Sequence, residues 1–165
     1  MNMNLENKSK LKKVKKLPIY KKGEEILDVV HQIGKLIPKD NEHLLNVKAE
    51  MLDDAMQLSV KVAGAESGQL YDLKMESAAI IRKAARDLML ANYSLEMFGF
   101  KEVEYLKILG DLIEEYRLLF IEWVKSFDQQ VYIVDRWGLF NPKGVGPHDN
   151  NPETDVSSLS GLTQK

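Results

Sequence analysis

The sequence predicts an all-α protein, an up-down-up-down antiparallel four-helix bundle with a basic N-terminal arm and a disordered C-terminal tail. Three observations carry the prediction. Four stretches within residues 18–130 repeat their apolar residues at alternating steps of three and four, the period of a helix with one buried face. Short breaks holding Pro38, Gly68 and Gly99 separate them, and short connections return each helix against its neighbour. At both ends of this region the composition shifts, to lysine and asparagine before it and to Gly, Pro, Asn, Ser and Thr after it.

In order along the chain, residues 1–17 read as a flexible basic arm, with Leu5, Leu11, Val14 and Leu17 as their larger apolar residues besides methionine. The first helix starts at Pro18, where a missing N–H donor is harmless, and turns Ile19, Ile26, Leu27, Val30, Ile33 and Ile37 inward. Pro38-Lys-Asp-Asn41 stops it. A second helix runs from about Glu42 to Ala65 on Leu44, Val47, Met51, Ala55, Leu58 and Val62. A third spans about Gln69 to Met97, with Leu70, Leu73, Ser77, Ile80, Ala84, Leu88, Ala91 and Leu95 inward. Its small residues favour close approach by a neighbour. The fourth carries the clearest stripe, Leu106, Leu109, Ile113, Tyr116, Phe120, Trp123 and Phe127. An aromatic extension, residues 131–142, follows, and residues 143–165 read as the disordered tail.

Composition narrows the function. The chain has 165 residues and no cysteine, which removes disulfides, thiolate catalysis and cysteine-bound zinc, and fits a reducing cytoplasm. No run is long enough to span a membrane, and no apolar segment with a cleavage site marks a secretory signal. Charge is segregated. Residues 1–22 set eight lysines against Glu6, a net +7, whereas residues 23–142 set thirteen Lys and Arg against twenty-one Asp and Glu, a net −8. A basic arm on an acidic body is the main electrostatic fact.

Catalytic constellations are missing. A di-metal bundle needs Glu-x-x-His motifs from two helices, and the nearest match, Asp28-Val-Val-His31, occurs once and off the inward stripe. No serine sits in a glycine-framed elbow and no glycine-rich loop leads to a phosphate-binding lysine. Glu114-Glu115 and Asp53-Asp54 are adjacent on helices, so their side chains diverge by roughly 100°. The expectation is a protein without catalysis, metal or cofactor.

The binding candidates are therefore electrostatic and apolar. Lys8, Lys10, Lys12, Lys13, Lys15 and Lys16 of the arm, with Lys21 and Lys22, suit nucleic-acid phosphates, RNA or DNA, without reading bases. The plainer alternative is a solubilising tail. Arg82 and Arg86 lie one turn apart on the third helix with Tyr93 near the same line, placed for phosphate contact or, more simply, for pairing with acidic neighbours. Trp137, Leu139 and Phe140 are not needed to fill a four-helix core, and either cap it or dock on a partner.

Four short motifs together are familiar: Leu17-Pro-Ile-Tyr-Lys-Lys, Ile37-Pro-Lys, Arg82-Lys-Ala-Ala-Arg-Asp-Leu and Ile121-Glu-Trp-Val-Lys-Ser. On these, residues 17–127 resemble the four-helix-bundle superfamily of ribosomal RNA intervening-sequence proteins. They are most similar to the accessory variability determinant proteins of diversity-generating retroelements. The resemblance implies a homopentameric barrel without catalysis that binds a reverse transcriptase and template RNA, supporting mutagenic complementary-DNA synthesis. It points to Arg82, Arg86 and Lys125, with Tyr20, Lys21 and Lys22, as contact residues. The alternative it leaves open is a structural oligomer of the intervening-sequence type with no reverse-transcriptase partner. Members of the retroelement group are strongly basic, whereas this body is acidic, so RNA contact leans on the arm or on a patch that assembly repeats. Nothing is implied for the extension after Asp135.

Overall fold

The computed structural model describes residues 3–152, with side chains from residue 7 onward, and shows an all-helical chain. Its five helices are α1 (Met3–Val14), α2 (Pro18–Leu36), α3 (Glu42–Ser67), α4 (Tyr71–Met97) and α5 (Val103–Lys125), with no strand among the described residues. Helices α2 to α5 form the bundle: α3 packs on α2 and α4, and α5 packs on the same two.

Local chemistry explains the boundaries. Pro18 opens α2 after Leu17, whose extended backbone (φ −62°, ψ 133°) is what a following proline imposes. Asn41 caps α3 by accepting the Leu44 N–H at 3.1 Å. At the end of α4, Gly99 takes φ +84°, Gly99 N–H donates to Glu96 O and Phe100 N–H to Leu95 O, at 3.1 and 2.9 Å. That paired closure of a helix end needs the left-handed residue that glycine supplies.

The inward faces of α2 and α3 follow their periodicity, since Ile19, Ile26, Val30, Ile33 and Ile37, then Leu44, Val47, Met51, Ala55, Leu58 and Val62, are all buried. So are Leu106, Leu109, Ile113, Tyr116, Trp123 and Phe127 on the α5 side. The first half of α4 departs from expectation. Ala78 and Ile81 are buried there, while Leu73 and Ile80 are 54% and 38% exposed. Core positions thus sit one residue later than Ser77 and Ile80. α3 comes close enough that an alanine, not a leucine, fits the seam.

Two polar contacts join α5 to α3 across the bundle, one near mid-helix and one at the C-terminal ends. Tyr116, 1% exposed, donates its hydroxyl to Leu58 O at 2.8 Å, and Trp123 Nε1 donates to Glu66 at 2.8 Å. Burial pushes the Tyr116 phenol far above its ordinary range, so it stays a donor at every working pH. Asn92 on α4 donates to Leu106 O at 2.8 Å, tying the start of α5.

Two described segments that composition assigned to an arm and a tail carry structure, residues 3–14 and residues 143–152. The expected mobile arm contains helix α1, which docks on α3 and buries Val14. Lysine and leucine favour a helix, and its contact with α3 adds the tertiary packing that a helix this short needs. Residues 143–152 of the expected disordered tail fold back on the extension, as described below. Residues 153–165 lie outside the described residues.

One carboxyl works against the fold at neutral pH. Asp54 of α3 is half-buried, and its pKa is raised to about 6, first by burial and then by Asp87 of α4, with Asp53 and Glu50 adding to this and Lys83 opposing it. A raised folded pKa stabilises the protein fully below about pH 4, and that contribution is lost as pH rises through about 6. Asp54→Asn is expected to add about 1 kcal/mol at pH 7 once solvent screening is allowed for, a rise of about 2–4 °C. Thermal melts from pH 4 to 7 check it. A variant whose curve runs parallel to the wild type would show that Asp54 has no part in the pH dependence.

Candidate functional site

Helices α4 and α5 are the most sparsely packed neighbours in the bundle, and a groove of about 420 Å³ opens between them. Ile81, Ala85 and Met89 of α4 and Ile113, Tyr116 and Phe120 of α5 form its apolar floor. Arg82 and Arg86 stand on one wall and Arg117 on the other, beside Glu114. The arginines follow from the helix repeat, since residues four apart share a face about 6 Å along the axis. Arg117 forms a fork with Glu114, its Nε 2.9 Å from both carboxylate oxygens, which lowers the Glu114 pKa. Arg82 and Arg86 are exposed and neither makes an ion pair among the described residues. Glu114, the acid that the neighbouring helix brings to this groove, pairs with Arg117. A guanidinium rim over an apolar floor suits a ligand with a flat apolar part and an anionic one.

The lysines lie elsewhere. Lys8, Lys10, Lys12 and Lys13 are exposed on α1, and Lys15 and Lys16 are exposed in the turn that follows. Since α1 packs on α3, one copy of the chain does not merge this basic helix with the α4–α5 groove. Lys21 is exposed at the head of α2. Lys22 bonds Glu25 at 2.6 Å and Glu115 of α5 at 2.7 Å, and these carboxylates, Glu115 first, raise its pKa. It acts as a tie between α2 and α5. Lys125 bonds Glu122 at 2.8 Å on the exposed face of α5. Tyr93 is exposed beyond the groove, near Asn92 and Glu96.

The predicted partner residues divide. Tyr20 is half-buried against the core, and burial, followed by Glu24, raises its phenol pKa. Phe140 is also half-buried, whereas Trp137 is 90% and Leu139 75% exposed. Their loop is pinned by Asp135, whose carboxylate accepts the backbone N–H groups of Trp137, Leu139 and Phe140 at 2.9, 2.8 and 2.9 Å. These bonds, Phe140's first, hold the carboxyl below its ordinary range. Asn141 exchanges two hydrogen bonds with the Asp135 backbone, at 2.7 and 2.9 Å. Arg136 donates to the carbonyls of Pro147 and Asp149, at 2.9 and 2.8 Å.

Sequence reasoning missed Arg117 and Asp135. Arg117 belongs to the site only because two helices meet there, which no spacing within α5 announces. Asp135 had a local signal, an acid shortly before Gly138, the pattern of a turn closed by a side chain. Compared with family models, with curated proteins and with solved structures, the chain finds no match.

Proposed function

We propose that this chain is a non-enzymatic accessory protein of a diversity-generating retroelement. In this proposal it is a homo-oligomeric scaffold, a pentameric barrel of up-down-up-down four-helix units, that binds RNA by charge and a reverse transcriptase by shape. Connections as short as residues 37–41, 68–70 and 98–102 support the antiparallel order. The observation that carries the RNA reading is the lysine helix α1, set outside an acidic bundle with its lysines exposed. The unpaired Arg82 and Arg86 over an apolar floor support a second point of contact, a base against the floor and a phosphate at the rim. A structural oligomer without a reverse transcriptase is the competing reading, supported by the acidic body.

The test is binding of a single-stranded RNA oligonucleotide to the full chain across a salt series. Replacing Lys8, Lys12, Lys13, Lys15 and Lys16 with glutamine is expected to flatten the log–log salt slope by roughly 3, from about 0.7 per phosphate contact on a single strand. An unchanged slope would remove α1 from RNA binding. Co-purification of the tagged chain from its own cells then separates the two readings, a reverse transcriptase with a discrete RNA supporting the first.

A further inference from the structure

The loop that carries Trp137 and Leu139 is held by eight of the chain's hydrogen bonds, counting those from Asp135, Arg136, Asn141 and Asn151. On this constrained backbone Trp137 is 90% exposed. Burying side chains of this size is the main source of energy at an interface. With Leu73 of α4, itself 54% exposed, Trp137 and Leu139 line a cleft of about 470 Å³. Its rim carries Asp72, Glu76 and Asp135 against Arg136, a net negative edge. Such an edge repels phosphate, so nucleic acid is the wrong occupant. A cationic segment with an apolar residue is the right one, and the face of Trp137 adds its own attraction for a cation.

We propose that helix α1 of a second copy of this chain seats in this cleft, each copy lending its arm to the next. The chain's basic segment and its acidic body are complementary, net +7 for residues 1–22 against −8 for residues 23–142. Helix α1 offers Leu11, 46% exposed, between Lys8 and Lys12 on one helix line. Among the side chains of α1 described from residue 7 onward, Val14 is the buried one, and Lys8, Leu11 and Lys12 are exposed.

Position agrees with charge. Lys10, Lys13 and Glu66 line one small cleft, Glu66 bonds Lys74 of α4, and the neighbouring Tyr71 N–H donates to Val131 O at 2.7 Å. Arm and cleft therefore share one end of the bundle. Copies that meet at that end pass their arms from one to the next, the head-to-tail contact by which a cyclic oligomer closes. The inference rests on exposure and charge, and it sets Lys8 and Lys12 against the cleft of a second copy, leaving Lys15 and Lys16 to the RNA reading.

The experiment places the photo-crosslinker p-benzoylphenylalanine at Leu11 in the full chain. Copies grown in heavy and light isotopes are mixed, irradiated and mapped by mass spectrometry. The expected product is a heavy–light crosslink from position 11 to the segment around Trp137 and Leu139. W137A/L139A is expected to reduce that product at least tenfold with an unchanged circular dichroism spectrum, because both side chains are exposed. Crosslinks confined to single-isotope chains would place the arm on its own cleft and overturn the proposal. Crosslinks that map elsewhere, that persist in W137A/L139A, or that do not form in the purified protein overturn it too.

Discussion

Tyr116→Ala is expected to lower stability by about 3–5 kcal/mol, the range for removing a large buried ring, and the melting temperature by on the order of 10 °C. Two losses combine. The ring fills the junction of α5 with the core and part of the floor beneath Arg82 and Arg86. Its hydroxyl also makes the 2.8 Å bond to Leu58 O. Tyr116→Phe separates the two, keeping the ring and removing the bond, for about 1 kcal/mol. The Leu58 carbonyl keeps its helical partner, so no orphaned group remains. Thermal or urea unfolding decides. If the phenylalanine variant fell as far as the alanine one, the bond rather than the ring would be what holds α5 to α3.

Gly23→Val should cost about 3 kcal/mol by forcing α2 away from α3. A Cβ at Gly23 meets Leu58 C and Ser59 N at 3.1 Å, and both are backbone atoms that cannot rotate aside. Gly64→Ala on α3 provides the contrast, because a Cβ there meets nothing within 4 Å. That change is expected to stabilise by about 0.5–1 kcal/mol, through helix propensity and a less mobile unfolded chain. Opposite signs for two glycines in adjacent helices are the result to look for in denaturant melts. A stabilised Gly23→Val would mean that the two helices are not in such close contact.

The helices were legible in the sequence wherever one face alone was apolar. Ile26, Val30 and Ile33 could be buried in only one way, and so could Leu106, Leu109 and Ile113. Helix α4 was ambiguous because two adjacent faces carry apolar residues, Leu73 and Ile80 on one, Ala78 and Ile81 on the other. The choice between them depends on how near α3 comes, which is a property of the pair. Helix α1 was concealed by composition: its lysines argued for mobility, while Val14 and the stop at Leu17-Pro18 argued for a docked helix with an end. In the candidate site, Arg82 and Arg86 could be named from their spacing, but Arg117 and the groove itself could not. The extended loop was the least legible, because Asp135, Arg136 and Asn141 act through partners up to thirteen residues away in the chain.

Tyr116 and Trp123 both reach from α5 to α3, so the bundle is a four-sided frame braced along one diagonal. Such a frame resists shear in the braced direction and yields in the other. The sparsest packing among its neighbouring helices lies at the α4–α5 seam, where the arginine groove opens. Asn92 of α4 spans that seam with its 2.8 Å bond to Leu106 O at the start of α5. The two walls of that opening are thus held to α3 by different means, α5 by two side-chain hydrogen bonds across the diagonal and α4 by side-by-side packing.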